Sequence, residues 1–460
     1  MSHDKKLNIL IVDDSGTMRL MFKQMLTKAG YENFVLAVDG KDGIKKLEEN
    51  PIDIVISDWN MPNMDGMELL QWIRRDERFK MIPFIMATAQ GDKSQQEKVR
   101  VNGGNNHIAK PFDDVEIALK IHEVFDVKPS GDEEVKPRER EIRDGKVVLK
   151  IAHIQITDHL ALGIMKHLIE AGELNPEHFE LETQRMPGWN PLQEVLEKGE
   201  VDGAFVLAPI AMDLFAFDTP IKLVALAHRN GSSFVRNVNY TAALYDNLKS
   251  FYKYKVVNIP HKMSIHNIMA HRYLTSLGLR PGVPGKKAID VRFEVVPPIK
   301  MPMIMKENDD VAGFVVAEPI ASNAIAKNIA ELDFVTSNMW KDHPCCVASF
   351  RDEFIEEFPD AVYEFTKLLV HCGMYVESNK EQAAEIAVAF LDPEKKIGLT
   401  TEVLQKVLSD PEGITMNNLY PALEDLDTMQ RYMVEEMGIG VMIDVEEFAD
   451  LRFIEAAIDK

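Results

Sequence analysis

Cysteine is scarce in this chain: three residues in 460, Cys345, Cys346 and Cys372. Two are neighbours, and none has a ligand-spaced partner nearby in sequence. That speaks against a disulfide framework and against a zinc motif, and it fits a reducing, cytoplasmic setting. Long apolar runs are missing. No stretch reaches about 18 uncharged apolar residues, so no membrane span is expected; the best run, Gly203 to Phe217, is interrupted by Asp213. Met1 to Leu10 starts polar and runs directly into a strand pattern, without the apolar core and cleavage site of a secretory signal. Positive charge is in short supply, with 52 Lys and Arg against 74 Asp and Glu, a net −22. Such a surface repels phosphate backbones and anionic lipid, so neither nucleic acid nor membrane is an expected partner. Also absent are a nucleophile elbow, a P-loop, an HExxH helix and a dinucleotide-type glycine pattern, and the expectation is a non-enzymatic protein.

What is present is an ordinary globular composition, 46% hydrophobic and 27% charged. At roughly 150 residues per domain, the length suggests about three globular units. Charge locates a boundary. Residues 1–130 hold 18 basic and 21 acidic side chains, net −3, while the remainder carries net −19. Between them a charged, proline-containing stretch with few apolar residues reads as a linker. The division expected is 1–126, a linker over 127–146, and 147–460.

The first part alternates apolar runs with amphipathic stretches. Runs occur at Leu7–Val12, Phe34–Val38, Ile52–Ser57, Ile82–Ala87 and His107–Ala109; between the first two, Leu20, Met21, Met25 and Leu26 form one helical stripe. The pattern predicts an α/β fold with a doubly wound, five-stranded parallel sheet. Ligands bind such sheets at the carboxyl ends of the strands. Asp13 and Asp14 end the first run, Asp58 the third, Thr88 the fourth and Lys110 the fifth. Three carboxylates converging there make a hard oxygen site suited to Mg²⁺. One of them can act as a nucleophile towards a phosphoryl group while metal and lysine neutralise the developing charge.

These segments carry a resemblance. Val12-Asp-Asp-Ser-Gly-Thr-Met-Arg19, Ile56-Ser-Asp-Trp-Asn-Met-Pro-Asn-Met-Asp-Gly66, Met86-Ala-Thr-Ala89 and Lys110-Pro-Phe112 resemble response-regulator receiver domains of the chemotaxis CheY type, with strand order 2-1-3-4-5. The resemblance implies that Asp58 is the phosphoacceptor and that Asp13, Asp14, Asp58 and the Asn60 backbone carbonyl hold Mg²⁺. It also implies that Thr88 and Lys110 are the signalling pair, and that Lys110–Pro111 is a bond often cis in this family. Three residues before the lysine, where the family carries an aromatic switch residue, this chain has His107. A histidine kinase of the CheA type is the implied phosphodonor, with a flagellar or chemotaxis component as candidate target.

From Val147 onward strand and helix signals alternate again, and beyond Asp352 the pattern is almost wholly helical. Two α/β lobes with a helical C-terminal region are expected. His266 lies at an apparent helix start, where free N–H groups could face an anion or polar ligand, although it could equally serve as a cap. Trp189 lies in a strand-to-helix loop, as a stacking face or a core residue. Buried, inert thiols are the default reading of Cys345 and Cys346. Gly188-Trp-Asn, Gly199 to Pro209, Ser264 to Leu274, Gly313 to Pro319 and Met339 to Pro344 resemble the nitrate/sulfonate/taurine-type substrate-binding proteins of ABC importers. Those are bilobal, type II binding-protein folds that close on a small molecule. The resemblance implies ligand contacts at Trp189, His266, Ala317 and Cys346. At Cys346 the family's lysine is missing, and Ile320 replaces a family tryptophan, so nitrate and bicarbonate are poor candidates and a neutral, zwitterionic or partly aromatic molecule is expected. The reading is a cytoplasmic response regulator joined to a ligand sensor. Two other classes stay open: an enzyme, because thiamin-pyrimidine synthases share the bilobal fold and use a cysteine-rich segment, and a pure interaction module.

Overall fold

Five short apolar runs become the strands β1 (Asn8–Val12), β2 (Asn33–Ala37), β3 (Ile54–Asp58), β4 (Phe84–Thr88) and β5 (Asn106–Ala109). The computed structural model describes residues 7–88, 98–110, 112, 114–126, 140–239, 247–283 and 288–458. Pro111 and its bond to Lys110 lie outside them. The chain divides into two compact units, one through Glu134 and one from Val135 onward, apart from the short segment 283–288.

In the first unit the strands lie in the order β2-β1-β3-β4-β5, all parallel, as the βα alternation predicts. Helices Gly16–Lys28, Gly40–Glu49, Gly66–Arg75 and Asp114–Asp126 supply the outer layers. The central strands are apolar on both faces, with Ile9, Leu10, Ile11, Ile54, Val55 and Ile56 fully buried, because helices cover both sides of the sheet. Helix Gly66–Arg75 begins with a capping box in which Asp65 accepts from the Glu68 N–H and Glu68 accepts from the Asp65 N–H. This cap ends the loop after Asp58 at a set point.

The second unit holds two six-stranded sheets. The first lobe's sheet contains β6 (Ile142–Arg143), β7 (Lys146–His153), β8 (Phe179–Arg185), β9 (Gly203–Leu207), β10 (Ile221–Leu226) and β17 (Cys346–Arg351), in the order β10-β17-β9-β7-β6 with β8 also on β7. The second lobe's sheet contains β11 (Ser232–Asn237), β12 (Val256–Ile259), β13 (Pro281–Gly282), β14 (Val291–Val295), β15 (Val311–Ala317) and β16 (Ala330–Val335), in the order β13-β14-β12-β15-β11-β16. The chain therefore crosses between lobes twice, before β11 and before β17. The helices beyond Asp352 return to the first lobe, where Asp450 N–H donates to the Leu223 carbonyl at 2.8 Å.

One expectation needs correction. The linker over 127–146 runs too far, because its last residues are folded. Ile142 pairs antiparallel with Val147 across a two-residue turn, Asp144-Gly145, with φ of 49° and 81°. Both angles fall in the left-handed region, which asparagine-like residues and glycine tolerate and which suits a tight hairpin. The charges that suggested solvent exposure have partners instead. Arg140 lies largely buried, 3.0 Å from Asp202, and Arg143 sits 2.7 Å from Glu141 and 2.8 Å from Glu180.

Candidate functional site

The carboxyl edge of the first sheet gathers one functional side chain from each of several strand ends. Asp13 follows β1, Asp58 closes β3, Thr88 closes β4 and Lys110 follows β5. Lys110 Nζ reaches between two carboxylates, 2.6 Å from Asp13 Oδ2 and 2.8 Å from Asp58 Oδ1. One donor oxygen from each of Asp13, Asp14 and Asp58 falls within 4.8 Å of the other two. Burial pushes the Asp58 carboxyl up to about 6, with Lys110 opposing and Asp13 and Asp14 adding to the rise. Burial alone would lower the Lys110 ammonium, but Asp58 and Asp13 outweigh it and hold the lysine charged. Crowding three carboxylates is costly unless cations share the site. Lys110 is one such cation. The oxygen-only donor set of Asp13, Asp14 and Asp58 fits a hard cation such as Mg²⁺ as the second.

Neighbouring groups shape this edge. Asp13 Oδ1 accepts from the Ser15 N–H at 2.8 Å, and the Asp13 carbonyl accepts from Arg19 at 2.6 Å. The Lys110 N–H donates to the Thr88 carbonyl at 2.6 Å, and the Lys110 ammonium lies 5.7 Å over the Phe22 ring. Gly66 donates its N–H to the Trp59 carbonyl, closing the loop after Asp58. Phe22 and Arg19 were not singled out by the sequence; both lie on the helix after Asp14, whose apolar periodicity spoke only of packing. His107 sits within β5, half-buried, and its backbone N–H donates to Asn106 Oδ1 at 2.8 Å.

In the second unit Trp189, His266, Ala317 and Cys346 are all buried. Trp189 opens helix Trp189–Glu197 with its indole edge-on to His159, ring centroids 5.9 Å apart. His266 lies in the first turn of helix Ile265–Ser276, capped by Ser264 rather than by the histidine itself, and its Nε2 is 2.9 Å from Ser232 Oγ. Ser232 pairs in register with Ala317 at the end of β15. Burial lowers the His266 imidazole to about 4, so it is neutral. Cys346 Sγ contacts Asp158 Oδ2 at 3.5 Å, and burial keeps its thiol well above its ordinary value.

Asp158 is the residue that sequence reasoning missed. It is fully buried and accepts from His228 Nε2 at 3.0 Å and from Cys345 Sγ at 3.4 Å. Burial alone would lower the His228 imidazole, but the Asp158 carboxylate outweighs it and raises it to about 10. Close to this pair, Trp189 Nε1, His266 Nδ1 and His159 Nε2 are buried without hydrogen-bond partners among the described residues. The only sequence signal was the adjacent pair Asp158-His159 ahead of an apolar helix, which reads equally well as a helix start. A cavity of about 290 Å³ lies elsewhere, lined by His153, Lys166, Thr183, Arg185 and Phe390 among others; none of the four expected contact residues lines it.

Comparison with known proteins follows this division. Residues 9–122 match the response regulator receiver domain, and residues 144–391 match the NMT1-like family. The first unit is similar to a probable chemotaxis protein CheY of Rhizobium etli, 42% identical over 125 residues, covering 27% of this chain and 97% of the relative. It is also similar to chemotaxis protein CheY1 of Helicobacter pylori, 43% identical over 107 residues, covering 23% of this chain and 86% of the relative. Among solved structures, the ligand-binding component of an ABC-type import system from Staphylococcus aureus, with zinc bound, has a TM-score of 0.59 at 20% identity, over 68% of this chain and 99% of that one. The periplasmic nitrate-binding protein NrtA from Synechocystis PCC 6803 has a TM-score of 0.59 at 18% identity, over 70% of this chain and 90% of that one. At these identities the likeness is one of fold, a periplasmic-binding-protein-like α/β architecture.

Proposed function

Because the chain belongs to the response regulator receiver family through residues 9–122 and to the NMT1-like family through residues 144–391, we propose that it is a response regulator whose Asp58 takes a phosphoryl group from a histidine kinase. The second unit is then its ligand-sensing or output partner. The observation that carries this reading is Lys110 Nζ lodged between Asp13 and Asp58 at the strand ends. It supports Asp58 as the nucleophile. Its carboxylate attacks the phosphorus, the donor's leaving group departs, and Lys110 offsets the charge gathering on the phosphoryl oxygens. Mg²⁺, when bound, supplies further charge neutralisation. Thr88, buried at the end of β4, is the hydroxyl proposed to bond the phosphoryl group once formed. His107 is the proposed switch position, reporting phosphorylation through its packing.

The phosphodonor proposed is a chemotaxis-type, CheA-like kinase, which the CheY relatives support, acting in the cytoplasm. Among the described residues no helix is long and apolar enough to cross a membrane. For the second unit we propose a small-molecule ligand between the lobes, contacted by Trp189, His266, Ala317 and Cys346. The charge there is already balanced, His228 against Asp158, and position 346 carries a neutral thiol rather than a lysine. A buried anion would lack a counter-charge, which costs several kcal/mol. A neutral or zwitterionic molecule is the better fit.

One experiment on the full chain addresses both units. With Mg²⁺ and acetyl phosphate, wild type acquires one phosphoryl group and Asp58→Asn acquires none; undiminished incorporation in the variant would falsify the site assignment. On the same samples, unfolding temperature is recorded with millimolar nitrate, bicarbonate or small neutral organic compounds. A ligand at about 100 times its Kd stabilises by about 2.7 kcal/mol, and a shift with nitrate alone would overturn the ligand reading.

A further inference from the structure

Four buried side chains that the phosphorylation reading does not use meet where the chain passes between lobes. The outward crossing runs from Leu226 to Ser232, the return from Val335 to Cys346. The two crossings lie side by side. Ala227 N–H donates to the Cys346 carbonyl at 2.9 Å, Asn230 N–H to the His343 carbonyl at 3.0 Å, and Arg229 bridges Pro344 in antiparallel fashion. His228 stands on the outward crossing, Cys345 and Cys346 on the return. Asp158 reaches them from the segment after β7 in the first lobe.

One donor atom from each of Asp158, His228, Cys345 and Cys346 lies within 4.8 Å of all the others. The contacts converge on Asp158 Oδ2, with His228 Nε2 at 3.0 Å and the two sulfurs at 3.4 and 3.5 Å. As an ion pair with two thiol donors this arrangement is only half satisfied. Among the described residues, Asp158 Oδ1 and His228 Nδ1 have no hydrogen-bond partner although both are buried. The donor set is itself specific. Two sulfurs, one imidazole nitrogen and one carboxylate oxygen suit a thiophilic cation and exclude the all-oxygen preferences of Mg²⁺ and Ca²⁺. A tetrahedral zinc-type ion with bonds of about 2.0–2.3 Å holds its ligand atoms roughly 3.3–3.8 Å apart; the three separations from Asp158 Oδ2 lie within a few tenths of an ångström of that range, and the other pairs lie within 4.8 Å.

We propose that Asp158, His228, Cys345 and Cys346 form a four-coordinate site for one thiophilic divalent cation of the zinc type, bound at the crossover between the lobes. On binding, each thiol releases its proton to solvent as its sulfur bonds the ion. His228, protonated while it pairs with Asp158, releases its Nε2 proton to solvent and bonds the ion through the freed Nε2 lone pair, and Asp158 gives a carboxylate oxygen. Four protein donors leave no open position on the ion for a substrate, so the ion is structural, and a molecule between the lobes then meets Cys346 as a metal-bound thiolate instead of the neutral thiol of the metal-free chain. It ties a loop of the first lobe to both crossing segments and so restrains the hinge about which the lobes move relative to each other.

The test uses the full chain, stripped with chelator, kept reduced, and titrated with Co²⁺ in excess Mg²⁺, which occupies the oxygen-only pocket of the first unit. One equivalent of Co²⁺ is expected to develop sulfur-to-cobalt charge-transfer absorption with the strong visible bands of a tetrahedral site. One equivalent of Zn²⁺ is expected to displace it. Cys345→Ser combined with Cys346→Ser should abolish the charge-transfer band and weaken binding at least about tenfold. No such band at one equivalent, or the same band in the double variant, overturns the proposal. Should that variant not fold, zinc-edge X-ray absorption of the wild-type chain decides alone: sulfur neighbours are expected, and a shell of oxygen and nitrogen only overturns it. Neither readout depends on phosphorylation or on an organic ligand, so this proposal and the signalling reading fail separately.

Discussion

Gly66 has no room for a methyl group. A Cβ built there would stand 2.1 Å from the Asp58 carbonyl oxygen and 3.0 Å from Met86 Sδ. The obstacle is backbone at the phosphoacceptor itself, which cannot swing aside as a side chain could. Gly66→Ala therefore forces the loop after β3 away from the strand end that carries Asp58. The expected cost is about 1–3 kcal/mol, the usual range for overpacking, with slower phosphoryl incorporation because the Asn60 carbonyl and Asp58 shift relative to Asp13. Urea unfolding and acetyl-phosphate labelling of the same variant measure both effects. Normal labelling with full stability would show that the loop relaxes freely. The glycine was legible in sequence as the end of the segment Asp58 to Gly66, but its reason was not, since close approach of two backbones is a property of the folded loop.

The crossing segments run outside both sheets, with one 3-10 turn at Thr336–Asn338 on the return, and one arginine adds side-chain bonds to the backbone pairs that join them. Arg229 donates from Nη1 to the Asp342 carbonyl at 2.7 Å, from Nη2 to the Tyr420 carbonyl at 2.6 Å and from Nε to the Asn418 carbonyl at 3.1 Å. It thus joins both crossings to the loop that precedes helix Leu423–Arg431. The planar guanidinium matches three acceptors that the compact ammonium of lysine cannot reach together. Arg229→Lys is expected to lose about 2–3 kcal/mol, since hydrogen bonds to charged groups are each worth about 1.5–3 kcal/mol and partly buried carbonyls would be left without donors. A urea midpoint within error of wild type would contradict this. By contrast, the regular elements around the crossings followed from local pattern. The runs at Phe179–Gln184, Val201–Leu207 and Val291–Val296 all became strands, because period and turn residues decide such segments. Arg229, in an apolar neighbourhood with no period, could be assigned no role from sequence.

At the scale of the whole molecule, burial holds five histidines of the second unit in neutral form, His159 and His343 lowered to about 3 and three others less far. Burial lowers His153, His261 and His266 each to about 4. Unfolded, each returns to about 6.5. The unfolded chain therefore binds more protons in this window, and stability falls as pH drops. The contribution is complete above about pH 6.5 and is lost progressively towards pH 4. Between pH 7 and pH 5 the loss amounts to at most about 2 kcal/mol per histidine. Urea unfolding followed by tryptophan fluorescence at the two pH values checks this, and an unchanged midpoint would count against neutral burial. What the sequence by itself determined is the first unit and its pocket. A parallel doubly wound sheet brings every strand's carboxyl end to one edge, so Asp13, Asp58, Thr88 and Lys110 needed only their positions after apolar runs to be placed together. The bilobal class of the second unit was readable for the same reason, as alternating local signals. Only the tertiary structure decided that Asp158, His228, Cys345 and Cys346 meet. They come from a loop of one lobe and two crossings between lobes, and no local period relates them. The sequence reading set a zinc site aside because the cysteines lacked spaced partners along the chain, whereas two antiparallel crossings supply those partners across space.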